Sequence, residues 1–151
     1  MFVIPEDDAN RELAQGFVLG IHWSRQRQIR VCPVAKGGKK VLLRFKMDHV
    51  PKMATYPSRL IVLLLDCDGD AETLTRVRGD IPKPLSERVF VLGVLKEPED
   101  LKAALGPYES IGLALAKDCQ DNTFSTWGHQ LLQHNVSELD RLRERVRPIL
   151  F

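Results

Sequence analysis

The apolar positions of this chain change period along its length, and the changes mark out strands and helices in alternation. "MFVI" is a short apolar run closed by Pro5, followed by "EDDANRELAQGFVLGIHW", in which Leu13, Phe17, Gly20 and Ile21 fall on one helical face. Glu6, Asp7 and Asp8 stand where the first helical turn begins, the positive end of a helix dipole. "RQIRVCPV" places Ile29, Val31 and Pro33 at alternate positions, predicting a second strand. "KGGKK" then predicts a glycine turn before "VLLRFKMDHV", where Val41, Leu42, Phe45 and His49 share a helical face. "MATYPS" carries turn chemistry, and "RLIVLLLD" is apolar on both faces, as a central strand covered by helices must be. A short helix before Gly79 and a link broken by Pro82 and Pro84 lead to a fourth strand, "RVFVLGVL". The remainder reads as helical: "EPEDLKAAL" with Pro98 near its start, "YESIGLALAKDCQ", and Leu131 and Leu132 before "HNVSELDRLRERVRPILF". In that tail Asn135 and Glu138 have capping-box spacing, and Leu139, Leu142 and Val146 form an apolar stripe.

Strands separated by helices predict βαβ units. The expected fold is α/β and Rossmann-like: a mostly parallel four-stranded sheet flanked by helices, with extra helices at the C-terminus. At 151 residues, without an internal repeat or low-complexity linker, one domain over 1–151 is expected. An apolar fraction of 44% and a charged fraction of 28% exclude disordered and collagen-like classes. The net charge of +2 argues for no polyanionic partner by itself, but between His22 and Lys52 there are nine Lys or Arg and one acid, Asp48. Such a stretch forms either a phosphate-attracting surface or a solvated face balanced by acids elsewhere. Three cysteines without a C-x-x-C pairing argue against a disulfide framework or zinc ribbon and fit a reducing, cytoplasmic location. The acidic turn after four residues is unlike a signal peptide, and the run Leu60 to Leu65 is far short of the roughly 20 residues of a membrane helix, so no membrane partner is expected.

The candidate chemistry sits where an open α/β sheet exposes its functional edge, beyond the carboxyl ends of the strands. Glu6 and Asp66 both lie at such ends. Asp66 and Asp68, two residues apart in the turn after a buried strand, can point both carboxylates at one hard cation, with Asp70 as a third. Magnesium takes oxygen ligands and keeps several waters, so two or three carboxylates suffice. Glu6 joins them if the first and third strands are neighbours, as a further ligand or as a general acid/base with its pKa raised by like charges.

Taken in order, a strand ending in glutamate ("FVIPE"), a helix, a strand with a glycine turn ("VCPVAKGGKK") and an apolar strand ending in D-x-D ("LIVLLLDCD") resemble the toprim domain. Primases, type IA and type II topoisomerases and overcoming-lysogenization-defect nucleases share that domain. The resemblance covers residues 1–95 as a toprim core. The helical extension over 96–151 looks more loosely like that of small stand-alone toprim-like proteins of bacteria. The resemblance implies Mg²⁺ (or Mn²⁺) held by Asp66 and Asp68, Glu6 as general acid/base or ligand, and nucleic-acid phosphodiesters as substrate, cut by a nuclease or phosphotransfer reaction. Lys39, Lys40 and Arg44 are the expected phosphate contacts. Where the family commonly has a glycine after its glutamate this chain has Asp7, and no tyrosine is placed for topoisomerase strand transfer.

Other readings compete. A module that kept the fold without catalysis, working with a partner ATPase or other protein in a defence or repair assembly, would use the same scaffold. "LLLDCDGD" also looks like the first motif of haloacid-dehalogenase-type phosphatases, although two strand–helix units precede it here. An EF-hand is excluded because Gly69 comes too early and position 12 from Asp66 is Val77. "AKGGKK" lacks P-loop spacing, though the amides that open the following helix offer a phosphate cradle. His22, His49, His129 and His134 are dispersed and read as structural or surface residues, as do Trp23 and Trp127. Cys67, between two aspartates, is expected to have a raised thiol pKa.

Overall fold

The computed structural model describes residues 1–70 and 72–151. Four strands, β1 (Phe2–Pro5), β2 (Arg30–Val31), β3 (Ile61–Asp66) and β4 (Val89–Val94), form one all-parallel sheet in the order β2-β1-β3-β4. Strand β3 is central, with Phe2 opposite Ile61 on one side and Ile61 opposite Val89 on the other. Its side chains alternate between two separate cores. Val62 joins Val3, Phe90 and Leu92 on one face, whereas Ile61, Leu63 and Leu65 join Ile4, Val89 and Val91 on the other. A strand greasy on both faces is thus accounted for by helices on both sides.

One layer holds α1 (Asp8–Leu19), α6 (Tyr108–Asp121) and α7 (Val136–Leu150). The α1–α6 contact is close because it is built on glycine: a Cβ on Gly16 would lie 2.1 Å from the Glu109 carbonyl oxygen, and one on Gly112 would lie 2.1 Å from that of Leu13. The C-terminal helices are therefore integral to the packing of the first helix.

The other layer holds α2 (Gly38–Arg44), α3 (Val50–Thr55) and α4 (Glu72–Gly79). Between α2 and α3 the chain makes a π-helical turn at Phe45–His49. The wider turn keeps Val41, Phe45, His49 and Met53, spaced by four, on one buried face where a straight α-helix would rotate them away. Helical structure accordingly runs through "MAT", where turn chemistry predicted a loop, to Thr55. Helix α5 (Pro98–Leu105) completes the α-helices among the described residues. Among the described residues no helix is long and apolar enough to cross a membrane.

The expected capping box at Asn135 is not formed. The side chain of Asn135 makes no cap to α7; it accepts from the Gly93 N–H at 2.9 Å and donates to the Gly93 carbonyl at 2.8 Å, while Glu138 accepts from the Val91 N–H at 2.8 Å. The two side chains take the hydrogen bonds that a fifth strand would take along the outer edge of β4. An edge strand with buried, unpaired backbone groups costs more than an uncapped helix start, and satisfying it wins.

Candidate active site at the carboxyl edge of the sheet

Strands β1 and β3 are neighbours, and the carboxyl end of β1 delivers Glu6 to the end of β3. The ladder continues one residue past β1, with the Glu6 N–H donating to the Leu64 carbonyl at 3.0 Å. Glu6 Oε2 in turn accepts from the Asp66 N–H at 3.0 Å. Glu6 shares the parity of Ile4 and so belongs to the α2 face, where a Cβ on Gly38 would stand 3.4 Å from its Oε2. Asp66 shares the parity of Leu64 and turns to the α1 face. The two acids thus approach the sheet tip from opposite faces.

Helix α1 fixes Asp66 through a residue that periodicity passes over. Asn10, 1% exposed, donates from Nδ2 to Asp66 Oδ1 and to Asp7 Oδ1, both at 2.9 Å. Asp7 caps α1 by accepting the Asn10 N–H at 2.8 Å. A buried amide bridging two carboxylates from different elements sets their spacing. Nothing in the local pattern announced it, since a polar residue in a first helical turn ordinarily faces water.

Burial and like charge dominate the electrostatics. Burial pushes the Asp66 carboxyl up to about 7; the Asn10 hydrogen bond opposes this, and the charges of Asp7, Glu6 and Asp68 add to it. Glu6 is also raised, first by burial and then by Asp68 and Asp7, against the backbone N–H groups of Asp66 and Gly38. Like charge was the expected cause for Glu6, and burial is the larger one. Among the described residues no Lys, Arg or His pairs with Glu6, Asp7, Asp66 or Asp68.

The remaining candidates divide. Asp68 is exposed at the turn, with a left-handed φ of 50°. Asp70 is turned away: its Oδ2 accepts from Arg76 at 2.8 Å and its Oδ1 from the Glu72 N–H at 3.0 Å, which holds its pKa down. The D-x-D-x-D run thus supplies two acids to the cluster, and the third is an arginine partner. Lys39 and Lys40 are exposed in the first turn of α2. Arg44 has one nitrogen tied to the backbone: its Nη1 donates to the carbonyls of Pro33 and Val34 and pins the loop before α2. The Gly38 amide is likewise directed to Glu6 rather than held open for a phosphate.

Cys67 is buried with its thiol pushed up to about 12, first by burial and then by the surrounding acids. Its Sγ lies 3.8 Å from His134 Nε2, and burial lowers the imidazole pKa. Both groups are therefore held neutral, which does not make a thiolate–imidazolium nucleophile. Trp127 is buried with its indole N–H on the Leu115 carbonyl, so it is a core residue.

An all-oxygen set of Glu6, Asp7, Asp66 and Asp68, lacking a protein counter-charge, has the chemistry a hard divalent cation takes. Among the described residues, no three such side chains are already gathered in a metal-holding arrangement. Compared with protein-family models, curated proteins and solved structures, the chain matches none of them, so a functional reading stands on these residues and their geometry.

Proposed function

We propose that this chain is a toprim-like, Mg²⁺- or Mn²⁺-dependent protein acting on nucleic-acid phosphodiesters, as a nuclease or phosphotransferase. The observation that carries the reading is that the Glu6 carboxylate, sixty residues away in sequence, accepts the Asp66 N–H at the sheet tip, and that both side chains are half-buried acids without a cationic partner among the described residues. The buried Glu138 is neutralised by Arg78 and Arg141, and these two acids are not paired in that way. Asp66 and Asp68 would hold the cation, with Glu6 beside them and Asn10 orienting Asp66 Oδ1. A bound cation would supply Lewis-acid polarisation of a phosphoryl oxygen and activation of a water. Glu6, its pKa raised by burial, suits transfer of a proton to or from an attacking or leaving oxygen. Three free, buried cysteines accord with a cytoplasmic setting.

The arrangement of ligands favours a second reading in one respect: gathering a third carboxylate requires the exposed Asp68 turn to move. A non-catalytic module of a larger defence or repair assembly would not need that movement. The two separate on purified protein incubated with single- and double-stranded DNA and RNA in Mn²⁺. The enzyme reading expects cleavage that chelation stops and that Glu6→Gln lowers by about 10² or more. No cleavage of any substrate in Mn²⁺ would remove it.

A further inference from the structure

The π-helical turn has a second effect, on the outside of the α2–α3 rod. As it aligns Val41, Phe45, His49 and Met53 inward, it aligns the residues two positions before each of them, Lys39, Leu43, Met47 and Pro51, on the opposite face. All four are exposed. Leu43 is 59% and Met47 69% exposed, and neither contributes to either core. Exposed lysines flank them: Lys36 and Lys40 at the end nearest Glu6, Lys46 and Lys52 further along, with Asp48 as the one exposed acid from Lys36 to Lys52. The ridge starts beside the carboxylate cluster, since Gly38 adjoins Glu6, and Met47 lies about 13 Å further on at 1.5 Å per residue.

We infer that this ridge is a track for single-stranded nucleic acid leading to the carboxylate site, with lysines on the phosphates and Leu43 and Met47 under unstacked bases. The inference rests on the nucleic-acid reading above and narrows it to unpaired strands. Charge complementarity selects a polyanion, because five exposed lysines, Lys36, Lys39, Lys40, Lys46 and Lys52, border the crest with Asp48 as the one acid among them. Apolar side chains at the crest select the form of that polyanion. A duplex presents phosphates outward and hides its bases, so Leu43 and Met47 would meet charge there; an unpaired strand offers base faces. An anionic bilayer is the less suited occupant, because the apolar part of the crest is two side chains, Leu43 and Met47, narrow beside the broad Trp, Phe and Leu face of an interfacial helix.

The test is fluorescence anisotropy on the full chain in EDTA, with labelled 20-mers of single-stranded DNA and RNA, the matching duplexes, and vesicles of mixed phosphatidylserine and phosphatidylcholine. At least 10-fold tighter binding of a single strand than of its duplex is expected, with either DNA or RNA or both showing it. Leu43→Ser/Met47→Ser, which alters only exposed side chains, should weaken the single strand 5- to 10-fold and leave the duplex unchanged. Lys39→Ala/Lys40→Ala should reduce the slope of log affinity against log salt by about 1.4. Equal duplex affinity, indifference to the Leu43/Met47 change, preference for vesicles, or no binding at all would each overturn the track. Because EDTA removes any cation, strand binding that persists without Mn²⁺-dependent cleavage would fail the catalytic reading and keep this one.

Discussion

Acids in two places in this molecule are treated in opposite ways. Glu138, its side chain 2% exposed beside β4, accepts from the Val91 N–H and meets Arg141 at 2.6 Å and Arg78 at 3.1 Å. Asp118 is handled similarly with neutral donors: burial would raise it, but the Thr123 hydroxyl and the N–H groups of Thr126, Trp127 and Ser125 hold its pKa down. At the carboxyl edge of the sheet Asp66 has one amide and three like charges, and its pKa rises to about 7. Where a carboxylate serves the fold, the chain surrounds it with donors. Asp66 has no such set of donors, and the proposed cation site rests on that contrast.

The comparison is broken most severely at the satisfied end. Glu138→Ala leaves two arginines and the Val91 N–H without their partner, and a loss of about 3–5 kcal/mol in urea unfolding is expected. A loss under about 1 kcal/mol would mean that Glu138 is no more structural than Asp66.

The unsatisfied end predicts the reverse sign. Asp66 binds its proton more tightly folded, at about 7, than unfolded, at about 3.9. Its contribution is therefore complete below pH 4 and lost as pH rises through 7. Relative to Asp66→Asn, the wild type should be equally stable near pH 4 and less stable by roughly 1–2 kcal/mol above pH 7, after allowing for its partial exposure. Glu6 adds a slope of the same sign in both proteins, so the difference isolates Asp66. Thermal melts across pH without a divalent cation read this directly, and a wild type more stable than the variant at pH 8 would refute it. The smallest effect belongs to Asp70→Asn: exposed and paired with Arg76, Asp70 should leave divalent-cation affinity within twofold of wild type.

The fold was largely legible because β3 is apolar on both faces, which only a central strand tolerates, and because Gly37 and Pro82 fall between periodic segments. Glu6 and Asp66 were legible as strand ends, but their meeting depended on β1 lying beside β3, which spacing along the chain cannot specify. Asn10, Asn135 and Glu138 escaped for one physical reason. Each is a polar residue at a helix start whose local rule points to capping or solvent, and each instead answers a buried carboxylate or a bare strand edge contributed from far away in sequence. Asp70 misled in the complementary way, its charge being met by Arg76, a partner that no motif displays.

The central claim is the proposal that the carboxylate cluster binds a divalent cation through Asp66 and Asp68. Isothermal titration of Mn²⁺ at pH 8 into the wild type and into Asp66→Asn/Asp68→Asn tests it most directly. The account predicts one saturable site in the wild type and at least a tenfold weaker one in the variant, whereas equal heats from both proteins, or none from either, would contradict it.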